Sequence, residues 1–409
     1  MTAPNKRSSL ATVFLVVLID LMGFGIVLPL LPYYASDFNA SPITVGLLYS
    51  VYSLSQLIFS PLWGAWSDKV GRRPIMLLST FGAALSYLLF SFSHSLTLLF
   101  LSRILAGVMG GNISTAQAYV ADVTTHENRA KGMGMIGAAF GIGFVIGPAL
   151  SSALIHPSVS SHLPLGGLSA YAAPGLFASC LSLISFCMVV FLLPESLNTK
   201  AANDPTRIRR AGLFSASFWK FLQPKQGTIL PSLLFCGIFL AAGQSSLYSA
   251  FPLFCKKILH LKPENVGLLF VWMGVVAVLV QGGLIHRLVK KYGEKKLFFL
   301  GNILLVIGLV LVGFSHDKMQ LMGALFVMGL GGSLNGPTLT SLISKTAPPS
   351  ETGAVLGSAQ GLSALGRVIG PAWGGWLFSL SPKAPFLLTA LVLCVTIVVG
   401  WQLQEAVAS

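Results

Sequence analysis

Two charges stand inside long apolar stretches of this chain: Asp20, within residues 10–35, and Arg103, within residues 97–121. A charge at membrane depth is costly unless it is solvated or paired. A carboxylate held there is suited to taking up a proton and giving it back. Low dielectric favours the neutral acid and a nearby guanidinium favours the carboxylate, so the two terms oppose each other. Arg103 stays charged and cannot carry the proton. It can bias Asp20 or hold a substrate anion. The plainer alternative is a static ion pair that fixes two helices. A third intramembrane charge, Arg367 in residues 352–379, suits an anionic group or a gate.

A second constellation follows residue 63: Gly64-x3-Asp68-x2-Gly71-Arg72-Arg73. A carboxylate at a helix end and two arginines at a tight glycine turn can latch neighbouring helices. Asp122, which closes the fourth apolar stretch, is a further acid for that latch, and an ordinary helix-end acid is its plainer reading. The sequence contains no nucleophile–base pair, no metal-ligand spacing and no G-x4-G-K-[ST] phosphate loop, which argues against an enzyme and against direct drive by ATP. No cofactor is expected. A proton gradient is the expected source of energy.

These residues need elements to hold them. Of the 409 residues, 54% are apolar and 9% charged, where soluble domains carry about 25% charged residues. Twelve apolar stretches, 10–35, 43–66, 74–93, 97–121, 130–155, 171–193, 229–255, 264–286, 296–314, 318–345, 352–379 and 384–402, each approach or exceed the roughly 20 residues that cross a bilayer as a helix. The first has no small-residue cleavage site after a short apolar core, and so reads as a retained helix. The expected fold class is an all-α membrane protein with twelve transmembrane helices in two six-helix bundles. Asp20, ten residues into its stretch, then lies about 15 Å deep.

The net charge of +14 is a topology signal and not a nucleic-acid footprint. Placing the N-terminus inside leaves Lys256, Lys257, Lys262, Lys318 and Lys383 on the outside. Arg103 and Arg367 lie within spans, and the other 19 of the 26 basic residues are inside. That bias puts both termini in the cytoplasm, with a modest attraction to anionic lipid. The five cysteines all lie in spans without metal or disulfide spacing.

The one long polar break, 194–228, divides the chain into residues 1–193, a linker, and residues 229–409. The parts repeat each other. Val145-Ile-Gly-Pro148 recurs 223 residues later as Val368-Ile-Gly-Pro371, and Gly143 maps to Gly366. Gly71 maps to Gly293, and Arg103-x3-Gly107 to Leu325-x3-Gly329, both 222 residues on. The second copy of the loop keeps its positive charge, with Lys290, Lys291, Lys295 and Lys296, but loses the aspartate. Coupling chemistry is therefore expected in the first half. Internal repeats of this kind build the midplane sites of many secondary transporters.

Four elements carry a resemblance to a known family: Asp20-x2-Gly23-x-Gly25-x3-Pro29-x2-Pro32, the 64–73 loop, Arg103-x3-Gly107-x2-Gly110-Gly111, and Gly143-x3-Gly147-Pro148. Over essentially its whole length the chain resembles the major facilitator superfamily, and within it the twelve-span drug:proton antiporters of the tetracycline-exporter-like branch. The last element resembles the exporter motif G-x3-G-P-x2-G-G, with Ser151-Ser152 replacing its final glycines. The full form stands at Gly366-x3-Gly370-Pro371-x2-Gly374-Gly375. The resemblance implies that Asp20 and Arg103 couple protons, that Gly64, Asp68, Gly71, Arg72, Arg73 and Asp122 form a cytoplasmic latch, and that Gly143, Gly147, Pro148, Gly366, Gly370 and Pro371 serve as hinges.

Candidate substrate contacts are Gln56, Asn112, Gln117, Gln244, Tyr248, Asn335, Gln360 and Arg367, each with a helix–helix hydrogen bond or packing role as the plainer reading. The expected function is a secondary active transporter, a proton-coupled antiporter that exports a small amphipathic or anionic compound by alternating access. Import of a small organic solute by a symporter or facilitator is the alternative. The expected partners are a small-molecule substrate, protons and membrane lipid, without nucleic acid. The expected state is a monomer in a bacterial inner membrane.

Overall fold

The computed structural model describes residues 6–125, 128–162, 169–197, 221–222, 229–348 and 351–408. Most of the 194–228 linker lies outside these residues. Among the described residues the secondary structure is entirely helical. In chain order the helices are α1 (Lys6–Val27), α2 (Leu31–Asp37), α3 (Pro42–Val70), α4 (Arg72–Ser91), α5 (Leu96–Met109), a 3-10 turn at Gly110–Asn112, α6 (Ile113–Val123), α7 (Arg129–Ile155), α8 (Pro157–Ser160) and α9 (Ala172–Leu192). The second half continues with α10 (Leu230–Lys257), α11 (Pro263–Leu279), a π turn at Val280–Leu284, α12 (Ile285–Tyr292), α13 (Glu294–Gly313), α14 (Lys318–Thr346), α15 (Thr352–Leu380) and α16 (Ala384–Ala408).

Among the described residues, counting α5–α6 and α11–α12 each as one interrupted rod gives the expected twelve long helices. Ten are long and apolar enough to cross a membrane by length and composition. The other two, α14 and α15, are 29 residues each, and glycine, serine and amide side chains dilute their apolar content. Large side chains such as Leu85, Phe191 and Leu391 are exposed, as lipid-facing residues must be.

The first apolar stretch is not one helix. It breaks between Val27 and Leu31 into α1 and the short α2, where the expected span runs unbroken over 10–35. Pro29 and Pro32 lack the N–H that a continuous helix needs. Leu30 N bonds back to Val27 O and Tyr34 N to Leu30 O, so the turn satisfies its own backbone.

The helices gather into two compact units. One comprises Met1–Ala40, Val51–Arg207 and Lys262–Val271, the other Ser41–Ser50, Ile208–Leu261 and Trp272–Ser409. Within the first, α1 lies along α7 and α9, and α4 along α9 and α5. Val13, Val17, Met76, Tyr119, Ile136 and Val189 form its core. Within the second, α10 lies along α15, and α13 along α14 and α16. The two pairings α1–α7 and α10–α15 correspond under the sequence repeat.

Glycine sets both pairings. A Cβ on Gly147 would lie 2.7 Å from the Met22 carbonyl oxygen and 2.7 Å from Gly25 Cα, and one on Gly366 would lie 2.5 Å from the Ile238 carbonyl oxygen. The repeated glycines are therefore helix–helix contact points, where only a missing side chain permits backbone contact.

Candidate functional site

The acid in α1 is reached through a break in the fourth rod. At Gly110–Asn112 the helix tightens to a 3-10 turn, and α3 takes up the backbone groups around it. Trp63 Nε1 donates to Val108 O at 2.6 Å, Gln56 Nε2 to Gly110 O at 3.0 Å, and Ser114 Oγ returns to Ser60 O at 2.8 Å. A Cβ on Gly111 would lie 3.0 Å from Ser60 N, so the rod lies directly on α3 there. The turn points Asn112 inward, 4% exposed.

Asn112 Nδ2 donates to Asp20 Oδ2 at 2.7 Å and to Ser79 Oγ at 2.9 Å. Ser79 spends its own hydroxyl on Met76 O at 3.1 Å. Asp20 thus takes its hydrogen bond from Asn112 and not from Arg103. The guanidinium of Arg103 is 2% exposed, lies 5.1 Å from the centre of the Phe90 ring, and reaches Ser102 Oγ at 3.3 Å. The hydroxyl end of Tyr87 of α4 packs against α1 at Gly23, three residues after Asp20. The sequence separated Asn112 from the coupling pair as a substrate contact, and the structure brings it onto the acid.

At the other end of the first unit the 64–73 turn closes as its spacing implies. Gly71 has φ +108°, a conformation that only glycine enters without strain. Arg72 is 2% exposed. It reaches Asp68 Oδ1 at 2.6 Å, Asp122 Oδ2 at 3.0 Å and Ser67 Oγ at 2.6 Å, while Ser67 itself donates to Gly64 O at 2.8 Å. Arg73 turns the other way and donates to Val190 O at 2.6 Å, covering a carbonyl at the end of α9. Removing Arg72 would take from Asp122, whose side chain is 18% exposed, the guanidinium at 3.0 Å. Arg72→Gln is expected to cost roughly 2 kcal/mol, the scale of a lost charge-assisted hydrogen bond, and a lowered midpoint of thermal unfolding in detergent would register it.

Glu195 completes this end, and the sequence reading did not single it out. Its carboxylate accepts from Arg72 N at 2.9 Å and Arg73 N at 3.1 Å. These are unpaired donors of the first turn of α4, where a negative charge also meets the favourable end of the helix dipole. Arg73 and Glu195 therefore cap each other's helices. An acid directly after the helix-ending Pro194 was the available signal.

The second unit carries the corresponding turn with its charges exchanged. Gly293, the repeat partner of Gly71, also has positive φ, +77°. The residue after it is Glu294 where the first unit has Arg72, and Lys345 stands where the first unit has Asp122. Glu294 Oε1 accepts from Lys345 Nζ and from Ser341 Oγ, the latter at 3.1 Å. The second copy has thus lost its aspartate but still ties two helices, α13 and α14. Lys345 is 63% exposed, so Lys345→Glu is expected to cost no more than about 1 kcal/mol. The exchange Glu294→Lys with Lys345→Glu should recover that loss, read as melting temperature against each single variant.

The remaining candidates lie apart from these clusters. Tyr248 of α10 faces Tyr49 with ring centres 6.4 Å apart and interacts electrostatically with Arg367. Asn335 donates to Asn302 Oδ1 at 3.2 Å and is 3% exposed. Gln117, Gln244 and Gln360 are exposed. Gly143 lies on α1, where a Cβ would come 2.7 Å from Leu21 Cβ. Gly370 lies on α10 beside Ala242 and Ser245. Pro371 O accepts from Ser249 Oγ at 2.9 Å. Among the described residues no group of His, Cys, Asp and Glu is arranged to hold a metal ion.

Comparison with known proteins agrees with this arrangement. The Major Facilitator Superfamily model matches residues 13–288 and again 233–407. Multidrug resistance protein 2 of Bacillus subtilis (strain 168) is 31% identical over 394 residues, 94% of this chain and 93% of that protein. The class D tetracycline resistance protein of Salmonella ordonez is 31% identical over 386 residues, covering 93% and 91%. Among solved structures, a bacterial homologue of the human lysosomal transporter Spinster superposes with a TM-score of 0.80 at 12% identity, over 99% of this chain and 98% of that one. The human organic anion transporter MFSD10 superposes with a TM-score of 0.69 at 24% identity, over 97% and 100%. Such distant structures share the fold. The family model over both halves and relatives aligned nearly end to end settle the kinship: this multi-pass membrane protein is a transporter and not an enzyme, and it belongs to the Major Facilitator Superfamily.

Proposed function

We propose that the chain is a proton-coupled antiporter that exports a small amphipathic or anionic compound, and that Asp20 carries the coupled proton. One observation supports this most: an acid deep in α1, hydrogen-bonded by a neutral amide, in a cluster with a tyrosine and an arginine. Intramembrane ionisable groups of this kind are functional by default. Relatives that resist multiple drugs, tetracyclines and quinolones favour export over import. Arg103 of α5 biases the acid or holds a substrate anion. Arg72 with Asp68 and Asp122 holds the cytoplasmic end of the first bundle in one of two alternating states, and the glycine–proline segments of α7 and α15 accommodate the change between them. Bundles 1–193 and 229–409, joined by 194–228, are the moving bodies. The polar and aromatic residues of α10 and α15, Gln244, Tyr248, Gln360 and Arg367, supply substrate contacts together with Gln56, Gln117 and Asn335.

The reading places both termini in the cytoplasm, a monomer in a bacterial inner membrane, and the proton gradient as the only energy source. Direction of transport is its first test. Expression in a bacterial host stripped of its own efflux pumps should lower the steady-state content of amphipathic antibiotics and fluorescent dyes, and a protonophore should abolish the difference. Raised content that depends on the gradient would instead identify an importing symporter.

A further inference from the structure

The structure assigns Asn112 a role of its own: we propose that it is the positioning residue of the proton site, holding Asp20 by Oδ2 so that Oδ1 takes up the transported proton. This rests on the reading of Asp20 as proton carrier. Both donor directions of the Asn112 amide are committed, one to Asp20 Oδ2 and one to Ser79 Oγ. Asp20 Oδ1 is buried and receives no hydrogen bond among the described residues, nor does Asn112 Oδ1. A proton from water on one side of the membrane fills Oδ1 and neutralises the group. Its departure to the other side restores the carboxylate. No other bond is made or broken.

The second unit shows what such an amide does without an acid. Asn335 lies 223 residues after Asn112 and bonds Asn302, 33 residues before it, just as Asn112 bonds Ser79, 33 residues before it. The Asn302 oxygen is filled twice, by Asn335 and by Thr396 Oγ1 at 2.8 Å. The contacts of the paired glycines match Met22 to Ala242 and Gly25 to Ser245, so the counterpart of Asp20 is Leu240, which has no group to titrate. Asn335 Oδ1 is also left without a donor, so the orphaned amide oxygen is common to both units. The orphaned carboxylate oxygen is what distinguishes the first.

Few other groups act on Asp20. From α4 comes Tyr87, whose hydroxyl end lies against Gly23. From α6, Tyr119 turns its hydroxyl to Pro194 O and Asp122 pairs with Arg72. The charged residues of α7, Arg129 and Lys131, stand at its first turn, and α9 offers Cys180 and Cys187, both exposed. Among the described residues, Asn112 is the one side chain that hydrogen-bonds the acid.

The test needs no substrate. Purified full-length protein in lipid is titrated while infrared difference spectra follow the carbonyl band of protonated carboxyl groups, and the part missing in Asp20→Asn is assigned to Asp20. A hydrogen bond donated to a carboxylate favours its ionised form. Asn112→Leu should therefore move the midpoint of that band to higher pH by roughly one unit. Asn302→Leu, in the amide pair of the second unit, should leave it in place. Asn112→Thr keeps a donor, should move it less, and serves if the leucine variant does not fold. An Asp20 band whose midpoint is the same in wild type and both Asn112 variants would overturn the proposal and leave the role of Asp20 standing. A titration with no band lost in Asp20→Asn would overturn the role of Asp20 itself.

Discussion

Asp20→Asn is expected to abolish uphill export while sparing exchange. The substitution preserves size and hydrogen-bonding capacity but fixes the site in a neutral form that can neither load nor release a proton. Inverted membrane vesicles given a proton gradient should lose gradient-driven accumulation of any exported compound by at least about a hundredfold, which corresponds to 2.7 kcal/mol of lost coupling. Downhill counterflow of the labelled compound, with no gradient, should persist, because the alternating movement itself needs no net charge at residue 20. Loss of both activities would mean that Asp20 builds the fold. Retention of both would mean that the proton travels elsewhere.

Gly147→Val is expected to remove folded protein. A Cβ at residue 147 meets the backbone of α1 at Met22 and Gly25, each at 2.7 Å, and backbone cannot rotate aside as a side chain can. Overpacking of this kind costs typically 1–3 kcal/mol, and two added methyl groups against a rigid neighbour put the cost at the upper end. Size-exclusion profiles of detergent-solubilised protein should shift from a single peak to aggregate. Gly332→Ala in α14 is the control, because a Cβ there meets nothing within 4 Å. A monodisperse, active Gly147→Val would show that α1 and α7 separate more easily than their contact implies.

Much of this architecture was legible in the sequence because the bilayer imposes it. Span length and the 222–223-residue repeat follow from hydrocarbon thickness and duplication, and each leaves a periodic or compositional trace. The Gly71 turn was legible for a similar reason: few spacings bring Asp68 and Arg72 within 2.6 Å across one glycine. What escaped were partnerships made by side chains far apart in the chain. Asn112 stood out only as one polar residue among several, since nothing in Gly110-Gly111-Asn112 announces a 3-10 turn or the reach to α1. Glu195 lay in a segment that reads as linker, although its carboxylate caps α4. The exchange of Arg72 and Asp122 for Glu294 and Lys345 was present in the repeat register, but it appears only when the two copies are compared for charge polarity. The division of the first stretch into α1 and α2 was signalled by Pro29 and Pro32 and obscured by the unbroken apolar run around them.

The most direct measurement of the central claim is proton movement caused by the transported compound. Wild-type protein in proteoliposomes under an imposed pH gradient, with a lumenal pH dye, is exposed in turn to amphipathic antibiotics and organic anions. Coupled antiport predicts that a transported compound triggers dissipation of the gradient, and that Asp20→Asn abolishes the response. Flux of the labelled compound without any proton movement, equal in wild type and Asp20→Asn, would contradict it and make the chain a uniporter with a structural aspartate.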